Sequence, residues 1–222
     1  MAKNRIIVFA NQKGGVGKTS LCVIMAHWLV EHEKKVLVYD ADSQQTLYDL
    51  RQDELKANPN VQPKWEVRIM NSVDRNQTIR QLEEAAKFDG YVLIDAPNNL
   101  IFPGLAPILQ TADAIAIPFK YNYNVLKSTL KFIRVLLSDE VQQETSRLFF
   151  IPNMIEKGVG TKEEKEQNTE TDKELGKLGT LTYPVKKFVG MERYSTLSWT
   201  PYQEHATMGV WQRIINRLSR LK

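Results

Sequence analysis

Residues 9–21 read FANQKGGVGKTSL and combine the features that a phosphate-binding loop needs. The apolar run IIVFA (6–10) leads into the stretch and predicts a buried strand. The glycines of GGVG (14–17) let backbone N–H groups turn toward an anion, and a helical pattern starts near Lys18. The stretch therefore predicts a phosphate site between the first strand and the first helix.

The loop departs from the standard pattern G-x-x-x-x-G-K-[ST] in two ways. Gln12 stands where the pattern has its first glycine, and Lys13 adds a second lysine to Lys18. In the standard loop the lysine reaches the β- and γ-phosphates and the next hydroxyl, here Thr19, binds Mg²⁺. The predicted nucleotide contacts are Gly14, Gly15, Val16, Gly17, Lys18, Thr19 and Ser20. A glycine-rich turn without a ligand would explain the glycines, but not this order of strand, loop and Gly-Lys-Thr.

Apolar runs and helical patterns alternate along the chain. Four further runs predict strands that are buried on both faces, as in a parallel sheet: KVLVYD (35–40), YVLIDAP (91–97), AIAIPF (114–119) and LFFIPN (148–153). Helical spacing of apolar residues covers 19–33, 78–87 and 125–137. The alternation predicts an α/β fold with a doubly wound, mostly parallel sheet and helices on both faces, in one domain over residues 1–222.

Two stretches are less regular. Residues 53–76 contain two prolines and predict a loop with one short strand, WEVRIM (65–70). Residues 157–180 are polar with mixed charge and predict a solvated surface helix with loops.

Composition narrows the class of protein. A hydrophobic content of 42% is enough for a sizeable core. Cys22 is the only cysteine, which excludes an intrachain disulfide and a cysteine zinc site. The first apolar run is too short for a signal peptide, and no run approaches the roughly 18 apolar residues of a membrane-spanning helix. We therefore expect a cytoplasmic protein.

Taken together, the motifs resemble the ParA/MinD family of P-loop ATPases. KGGVGKT (13–19) resembles the deviant Walker A motif of that family, and Asn11-Gln12 before it resembles the ParA side. KKVLVYDADSQQT (34–46) is similar to the second strand and switch segment, and FDGYVLIDAPNNL (88–100) to the Walker B strand. TADAIAIPFKYNYNVLKSTLKFI (111–133) is similar to the strand and helix that follow. The resemblance implies ATP and Mg²⁺ as ligands and ATP hydrolysis as the activity.

The resemblance also gives the second lysine a role. It implies that Lys13 reaches across to the nucleotide of a second subunit, so that ATP joins two chains into a homodimer. The added cation would then stabilise charge on the transferring phosphoryl group. The alternative is a solvated lysine on a loop.

Three aspartates follow predicted strands. Asp40 and Asp42 are two residues apart, so their side chains point the same way along an extended segment. By resemblance, Asp42 orients the attacking water and Asp40 lies in the outer magnesium shell, although Asp40 could instead be a cap or turn residue. Asp95 ends a strand at the sheet edge where ligands bind, and the resemblance implies that it holds Mg²⁺ through water. The family continues with Pro-Pro-Ser, whereas residues 96–99 read APNN.

The resemblance places the adenine near Asn153, Pro184 and Val185. Asn153 would read the base edge, and the other two side chains would pack on the ring. A plain turn asparagine and a plain loop proline are the alternatives.

The C-terminal stretch has an amphipathic pattern. Its apolar residues share one helix face: Trp211, Ile214, Ile215, Leu218 and Leu221. Its cations fall away from that face: Arg213, Arg217, Arg220 and Lys222. From Tyr183 onward, seven Lys or Arg side chains stand against two acidic ones, which favours an anionic partner. Three interpretations are open: a helix docked on the domain, a basic surface for DNA phosphates, and a MinD-like interfacial membrane helix.

The resemblance favours a ParA-type partition ATPase. The ATP-bound dimer would bind DNA without reading sequence, on the nucleoid, and a ParB-like partner would stimulate hydrolysis. The cargo would be a plasmid, a chromosome or a mobile element. A membrane-positioning ATPase of the MinD kind and a dethiobiotin-synthetase-like ligase are alternatives, and Lys13 argues against the ligase. The nitrogenase iron-protein branch is excluded because it needs two cysteines per subunit.

Overall fold

The computed structural model describes residues 4–156 and 158–220. The strands are β1 (Arg5–Phe9), β2 (Val36–Asp40), β3 (Glu66–Ile69), β4 (Tyr91–Asp95), β5 (Ala114–Phe119), β6 (Leu148–Pro152) and β7 (Thr180–Leu181). The helices are α1 (Lys18–Glu31), α2 (Thr46–Ala57), α3 (Arg75–Ala85), α4 (Leu105–Thr111), α5 (Tyr123–Leu136), α6 (Lys162–Leu178), α7 (Val189–Glu192) and α8 (Pro201–Leu218), with a 3₁₀ turn at Thr145–Arg147.

The seven strands form one parallel sheet in the order β3-β2-β4-β1-β5-β6-β7. The predicted α/β fold with a doubly wound parallel sheet is therefore confirmed. The order changes direction beside β1, and ligands of open α/β sheets bind outside the carboxyl ends of the strands at such a point. Asp95 pairs in register with Phe9 of β1 and with Asp40 of β2, so the ends of three strands lie level there.

The sheet separates two apolar cores. On one face, Ile6 and Val8 of β1 pack with residues of α4 and α5. On the other face, Ile7 and Phe9 pack with residues of α1 and α8. Burial on both faces explains why the strands read as continuous apolar runs.

The helix α1 is buried nearly all round because it lies between the sheet and α8. Its start at Lys18 agrees with the predicted position. The predicted short strand appears as β3, and the predicted polar surface helix appears as α6, in which Leu175 is the buried residue.

Some elements were not predicted, and most of them are short. The helix α2 buries only Leu47 and Arg51, which leaves little apolar periodicity in its sequence, and its last turn occupies residues 53–57, where a loop was predicted. The helix α4 has only seven residues and contains a proline, and α7 has only four residues. The strand β7 has two residues and is defined by its pairing with β6.

Candidate nucleotide-binding site

The loop between β1 and α1 is shaped by two glycines. Gly15 and Gly17 have φ angles of 69° and 94°, in the left-handed region that other residues rarely adopt. Gly17 is the residue that precedes α1, and no side chain in the described part of the chain caps the helix there. The first backbone N–H groups of α1 are therefore available to an anion.

Asn11 ties the start of the loop to the neighbouring strand and helix. Its Nδ2 donates to the backbone oxygen of Pro118 and to Oγ1 of Thr129, both at 2.9 Å. Its Oδ1 accepts from the backbone N of Lys13 at 3.3 Å. The buried amide thus fixes the loop against β5 and α5 before any ligand binds.

Asn153 supports the other side of the loop. Its Nδ2 donates to the backbone oxygen of Val16 at 2.8 Å, and its Oδ1 accepts from the backbone N of Met154 at 2.9 Å. A Cβ atom on Gly17 would lie 2.2 Å from the Asn153 amide nitrogen, so the close approach requires glycine. The amide of Asn153 therefore holds the loop through one of its two N–H groups and through its oxygen. Contact of Asn153 with the base edge stays a prediction.

The predicted ring contacts differ in accessibility. Val185 is fully buried in the core that contains α1 and α8, so its side chain is not available to an adenine ring. Pro184 beside it is exposed. Packing on the ring therefore stays a prediction for Pro184 and is corrected for the Val185 side chain.

The side chain of Lys18 points into the site from the first turn of α1. Its residue is 7% exposed, and its Nζ donates to Oδ1 of Asn98, which follows β4. Burial lowers the pKa of Lys18, while the charges of Asp95 and Asp42 oppose that shift. The buried ammonium group therefore faces two carboxylates across the site.

Thr19 and Asp95 form the pair that could hold a metal ion. Oγ1 of Thr19 donates to Oδ2 of Asp95 at 2.6 Å. The other oxygen of this buried carboxylate, Oδ1, has no hydrogen-bond partner among the described residues. Burial raises the pKa of Asp95 to about 7, against the hydrogen bond from Thr19 and the charge of Lys18. An unsatisfied carboxylate oxygen beside a hydroxyl fits Mg²⁺, which prefers oxygen ligands.

The protein alone does not complete a metal shell. In residues 4–156 and 158–220, no group of three or more His, Cys, Asp or Glu side chains could hold a metal ion. Magnesium at Thr19 and Asp95 would therefore take its remaining ligands from phosphate oxygens and water, as is usual for Mg²⁺ bound with a nucleotide.

Asp40 organises the segment that follows β2. Its Oδ2 accepts from the backbone N of Leu47 and of Tyr48, both at 3.0 Å, and its Oδ1 accepts from the backbone N of Asp42 at 3.1 Å. Burial raises the pKa of Asp40, and these hydrogen bonds oppose the shift. This geometry matches the cap or turn role that the sequence left open for Asp40. Its place in an outer magnesium shell stays a prediction.

Asp42 lies in the turn between β2 and α2, half-buried. Its Oδ1 accepts from the backbone N of Gln44 at 3.0 Å. It faces a cavity of about 250 Å³ together with the loop and the end of β4. The lining residues are Gly15, Gly17, Lys18, Thr19, Ser20, Asp40, Asp42, Gln44, Thr46, Leu47, Asp95, Asn98, Met154 and Tyr194. The fold thus brings the predicted phosphate loop, Asp42 and Asp95 to one place.

Lys13 is the predicted catalytic residue that lies outside this cavity. Its side chain is exposed and does not line that cavity. Within the described residues, its ammonium group takes part in no ion pair or hydrogen bond. Of the two lysines of the loop, only Lys18 faces the cavity of its own chain.

Comparison with known proteins identifies the family. The model of the CobQ/CobB/MinD/ParA nucleotide binding domain matches residues 7–187, which include every strand after the first residues of β1. The chain belongs to this family. The resemblance drawn from the sequence motifs is therefore confirmed.

Curated relatives point to the ParA side. The chain is similar to the chromosome-partitioning ATPase Soj of Thermus thermophilus, with 29% identity over 61% of the chain and 62% of the relative. It is also similar to the sporulation initiation inhibitor protein Soj of Bacillus subtilis, with 28% identity over 60% of the chain and 64% of the relative. The chain thus spans less than two thirds of the length of these curated relatives.

Solved structures share the fold at low identity. A putative plasmid partition protein from Borrelia burgdorferi bound to AMPPNP superposes with a TM-score of 0.72 at 16% identity, covering 98% of this chain and 99% of that one. A variant of Cyanothece McdA in complex with ATP has a TM-score of 0.71 at 15% identity and covers 100% and 99%. The MinD cell division protein of Aquifex aeolicus has a TM-score of 0.68 at 18% identity and covers 96% and 97%.

Six residues that line the cavity were not predicted as site residues: Gln44, Thr46, Leu47, Asn98, Met154 and Tyr194. Asn98 and Tyr194 are the most distinctive of them. Asn98 lies within the APNN segment that departs from the family pattern, and this departure was its only signal. Tyr194 lies in the segment before α8, far along the chain, and burial raises its pKa to about 12. No local motif marked it.

A buried arginine explains how Tyr194 reaches the cavity. Nε of Arg51 on α2 donates to Oγ1 of Thr196 at 2.7 Å, and its Nη2 donates to the backbone oxygen of Thr196 at 2.9 Å. The guanidinium group also stacks 4.1 Å above the ring of Trp65. The segment that carries Tyr194 is thereby fastened to the helix that follows Asp42.

The C-terminal helix α8 docks on the domain. Trp211, Ile214 and Leu218 are buried, and the Trp211 ring meets Phe9 edge-on with centroids 6.2 Å apart. This confirms the docked-helix interpretation. Because this apolar face is already covered, it is not free to enter a lipid surface.

The cations of α8 and of the turn after it face outward. Arg213, Arg217 and Arg220 are exposed, and the Arg213 guanidinium lies 5.6 Å from the centroid of Tyr183. The predicted Leu221 and Lys222 lie outside the described residues. Within the described residues, no helix is both long and apolar enough to cross a membrane.

Proposed function

We propose that this chain is a ParA-type ATPase that dimerises with ATP, binds DNA non-specifically in that state and drives partition of a plasmid, chromosome or mobile element. The observation that carries the proposal is that the two lysines of the phosphate loop occupy different environments. Lys18 is buried at the cavity of its own chain, whereas Lys13 is exposed beside it, without a partner among the described residues.

The residues that line this cavity have different roles in the proposed hydrolysis of ATP. The N–H groups of the loop and the ammonium of Lys18 hold the phosphates and offset their charge. Thr19 and Asp95 would hold Mg²⁺, which would supply positive charge against the charge that develops on the phosphoryl group. Asp42 orients the attacking water, and Asp40 fixes the turn that carries Asp42 through its bond to the Asp42 backbone N.

The second lysine completes a neighbouring site. A cation that lies outside its own cavity gains a strong partner when another chain presents a triphosphate to it. Lys13 would then stabilise phosphoryl charge in the partner subunit, so that the homodimer is both held and activated by ATP. This accounts for two lysines in one loop.

Membership of the family and the surface of α8 support the remaining steps. Arg213 and Arg217 are exposed on the side of α8 that faces away from the core, and Arg220 is exposed in the turn that follows the helix. Dimerisation would double this basic surface, and contacts to phosphates would bind DNA of any sequence on the nucleoid. A ParB-like partner would stimulate hydrolysis and so release the DNA.

The experiment measures mass and DNA binding in parallel. Light scattering after gel filtration gives the mass with a non-hydrolysable ATP analogue, with ADP and without nucleotide. A DNA titration follows under the same three conditions. We expect dimer and DNA binding with the analogue alone, and Lys13→Ala should remain monomeric while still binding nucleotide. A wild-type monomer in all three conditions would contradict the proposal.

The alternative is a MinD-like ATPase that positions itself on membranes. Liposome flotation with ATP tests it.

A further inference from the structure

Asn98 interacts with the lysine of the phosphate loop. It is the third residue after Asp95, at the carboxyl end of β4, and its Oδ1 accepts from Nζ of Lys18. The Asn98 side chain is exposed and lines the same cavity as Asp42. Oδ1 of Asn98 therefore accepts the hydrogen bond that the ammonium group of Lys18 would donate to a bound phosphate.

The NH₂ group of the Asn98 amide is a free donor among the described residues. Nδ2 of Asn98 makes no hydrogen bond within the described residues. It lies 3.7 Å from the position that a Cβ atom on Gly14 would take. The amide thus extends from Lys18 toward Gly14 along the mouth of the loop, with its donor end free.

The chemistry of the amide suits an exchange of partners. A phosphate oxygen is charged and is a stronger acceptor for an ammonium group than a neutral amide oxygen. An arriving phosphate chain would therefore take over the ammonium of Lys18 and release Oδ1. The NH₂ group is a neutral donor and can then bind a phosphoryl oxygen, which a proline at this position could not do.

We propose that Asn98 is a specificity-determining residue for the γ-phosphate: it pairs with Lys18 when no nucleotide is bound, and it donates through Nδ2 to the terminal phosphoryl group of ATP. The inference rests on the proposed function, because it requires that the loop binds ATP. It assigns the distinction between ATP and ADP in part to a residue in the segment that departs from the family's Pro-Pro-Ser.

The neighbouring asparagine provides a matched control. Oδ1 of Asn99 accepts from the backbone N of Ile101 at 3.1 Å, and Asn99 does not line the cavity. Both asparagines are exposed. Asn98→Ala and Asn99→Ala remove the same atoms from adjacent positions, and only the first removes an atom that faces the phosphates.

The experiment compares two affinities. Calorimetry with Mg²⁺ gives the Kd values of ADP and of a non-hydrolysable ATP analogue for wild type, Asn98→Ala and Asn99→Ala. In Asn98→Ala, Oδ1 no longer competes with phosphate for Lys18. This should raise the affinities for ADP and for the ATP analogue by the same factor, so their ratio is unchanged. Loss of a donor to the γ-phosphate lowers only the affinity for the analogue, so we expect the preference for it to fall by about three- to tenfold in Asn98→Ala. Asn99→Ala should keep the wild-type preference.

A second measurement tests the pairing with Lys18 itself. Competitive acetylation followed by mass spectrometry reports how accessible the Lys18 amine is without nucleotide. We expect Lys18 to react faster in Asn98→Ala than in Asn99→Ala. If the unfolding temperature of Asn98→Ala is lowered, Asn98→Ser replaces it, because the shorter hydroxyl also removes the hydrogen bond to Lys18.

The outcomes separate the two levels of inference. A wild-type protein that binds neither nucleotide contradicts the proposed function. A wild-type protein that binds both, with the same preference for the analogue in Asn98→Ala, overturns the role of Asn98 alone. An equal gain in both affinities also overturns it, because Asn98 would then only compete for Lys18.

Discussion

Thr19 donates a 2.6 Å hydrogen bond to one oxygen of Asp95, while the other oxygen of that carboxylate is buried without a partner in the described part of the chain. The two residues come from α1 and from the end of β4, and the parallel pairing of β1 with β4 brings them together. A buried carboxylate with one unsatisfied oxygen is costly unless it is protonated or bound to a cation. This relationship makes Asp95 sensitive to pH.

We predict that Asp95 makes the nucleotide-free protein less stable as pH rises. Burial raises its pKa from an ordinary value of 3.8 to about 7 in the folded state. The folded state therefore holds this proton more tightly than the unfolded state, and that contribution is lost as pH rises through the folded pKa. Asp95→Asn should remove roughly 3 kcal/mol of pH dependence between about pH 5 and about pH 8. Urea unfolding of wild type and Asp95→Asn at both pH values measures this change in the free energy of unfolding.

The difference between the two proteins isolates this group. Burial also raises the pKa of Asp40 and lowers that of His27, and both effects are shared by wild type and variant. Equal pH dependence in the two proteins would show that Asp95 is ionised in the folded state throughout. Asp95→Asn should also be the more stable protein at about pH 8.

Lys18→Ala should abolish nucleotide binding. Among the described residues, its ammonium group is the only cation that lines the cavity, and it lies against the loop that would hold the phosphates. Removing a buried, charge-assisted bond to phosphate should weaken ATP and ADP binding by about a hundredfold or more. Calorimetry measures both affinities, and Lys13→Ala is the matched control because its side chain is outside the cavity. Retained affinity in Lys18→Ala would refute the assignment of the loop.

Asp42→Ala should trap an ATP-bound dimer. Asp42 faces the cavity but, as placed, lies on the turn after β2 and not in the phosphate loop, so its loss should spare binding and impair hydrolysis. We expect phosphate release to fall by about a hundredfold or more, as for loss of a group that acts in the chemical step. Gel filtration with ATP should give a persistent dimer. A monomer under these conditions would argue against the catalytic role of Asp42.

Much of the fold could be predicted because it depends on local patterns. The loop glycines, the apolar strands and the start of α1 at Lys18 each leave a signal within a few residues. The helix α2 leaves almost none, since its two buried residues are Leu47 and an arginine. Arg51 becomes recognisable as a core residue only when Thr196 and Trp65 surround it.

The site likewise contains some residues that local sequence places and others that only tertiary contacts place. Lys18, Thr19 and Asp95 are placed by a motif and by strand register, so the sequence was sufficient for them. Tyr194 reaches the cavity through tertiary contacts of its segment, which no local pattern encodes. Whether the side chains of Asn153 and Val185 face a ligand or the protein is decided by packing after the ends of β6 and β7, which the local sequence does not encode.

Replacing Arg213, Arg217 and Arg220 with Ala should weaken DNA retention and reduce its salt dependence. Each bond to a phosphate releases counterions, so the slope of log affinity against log salt should fall by about one for each arginine removed, or about three in all. The matched control is the triple variant of Lys127, Lys131 and Arg134, which removes the same charge from α5 on the opposite face of the sheet. Titrations at several salt concentrations with a non-hydrolysable ATP analogue measure both slopes. Equal reductions in the two variants would mean that net charge alone governs DNA binding, whereas a reduction confined to the α8 variant locates the DNA surface on that helix.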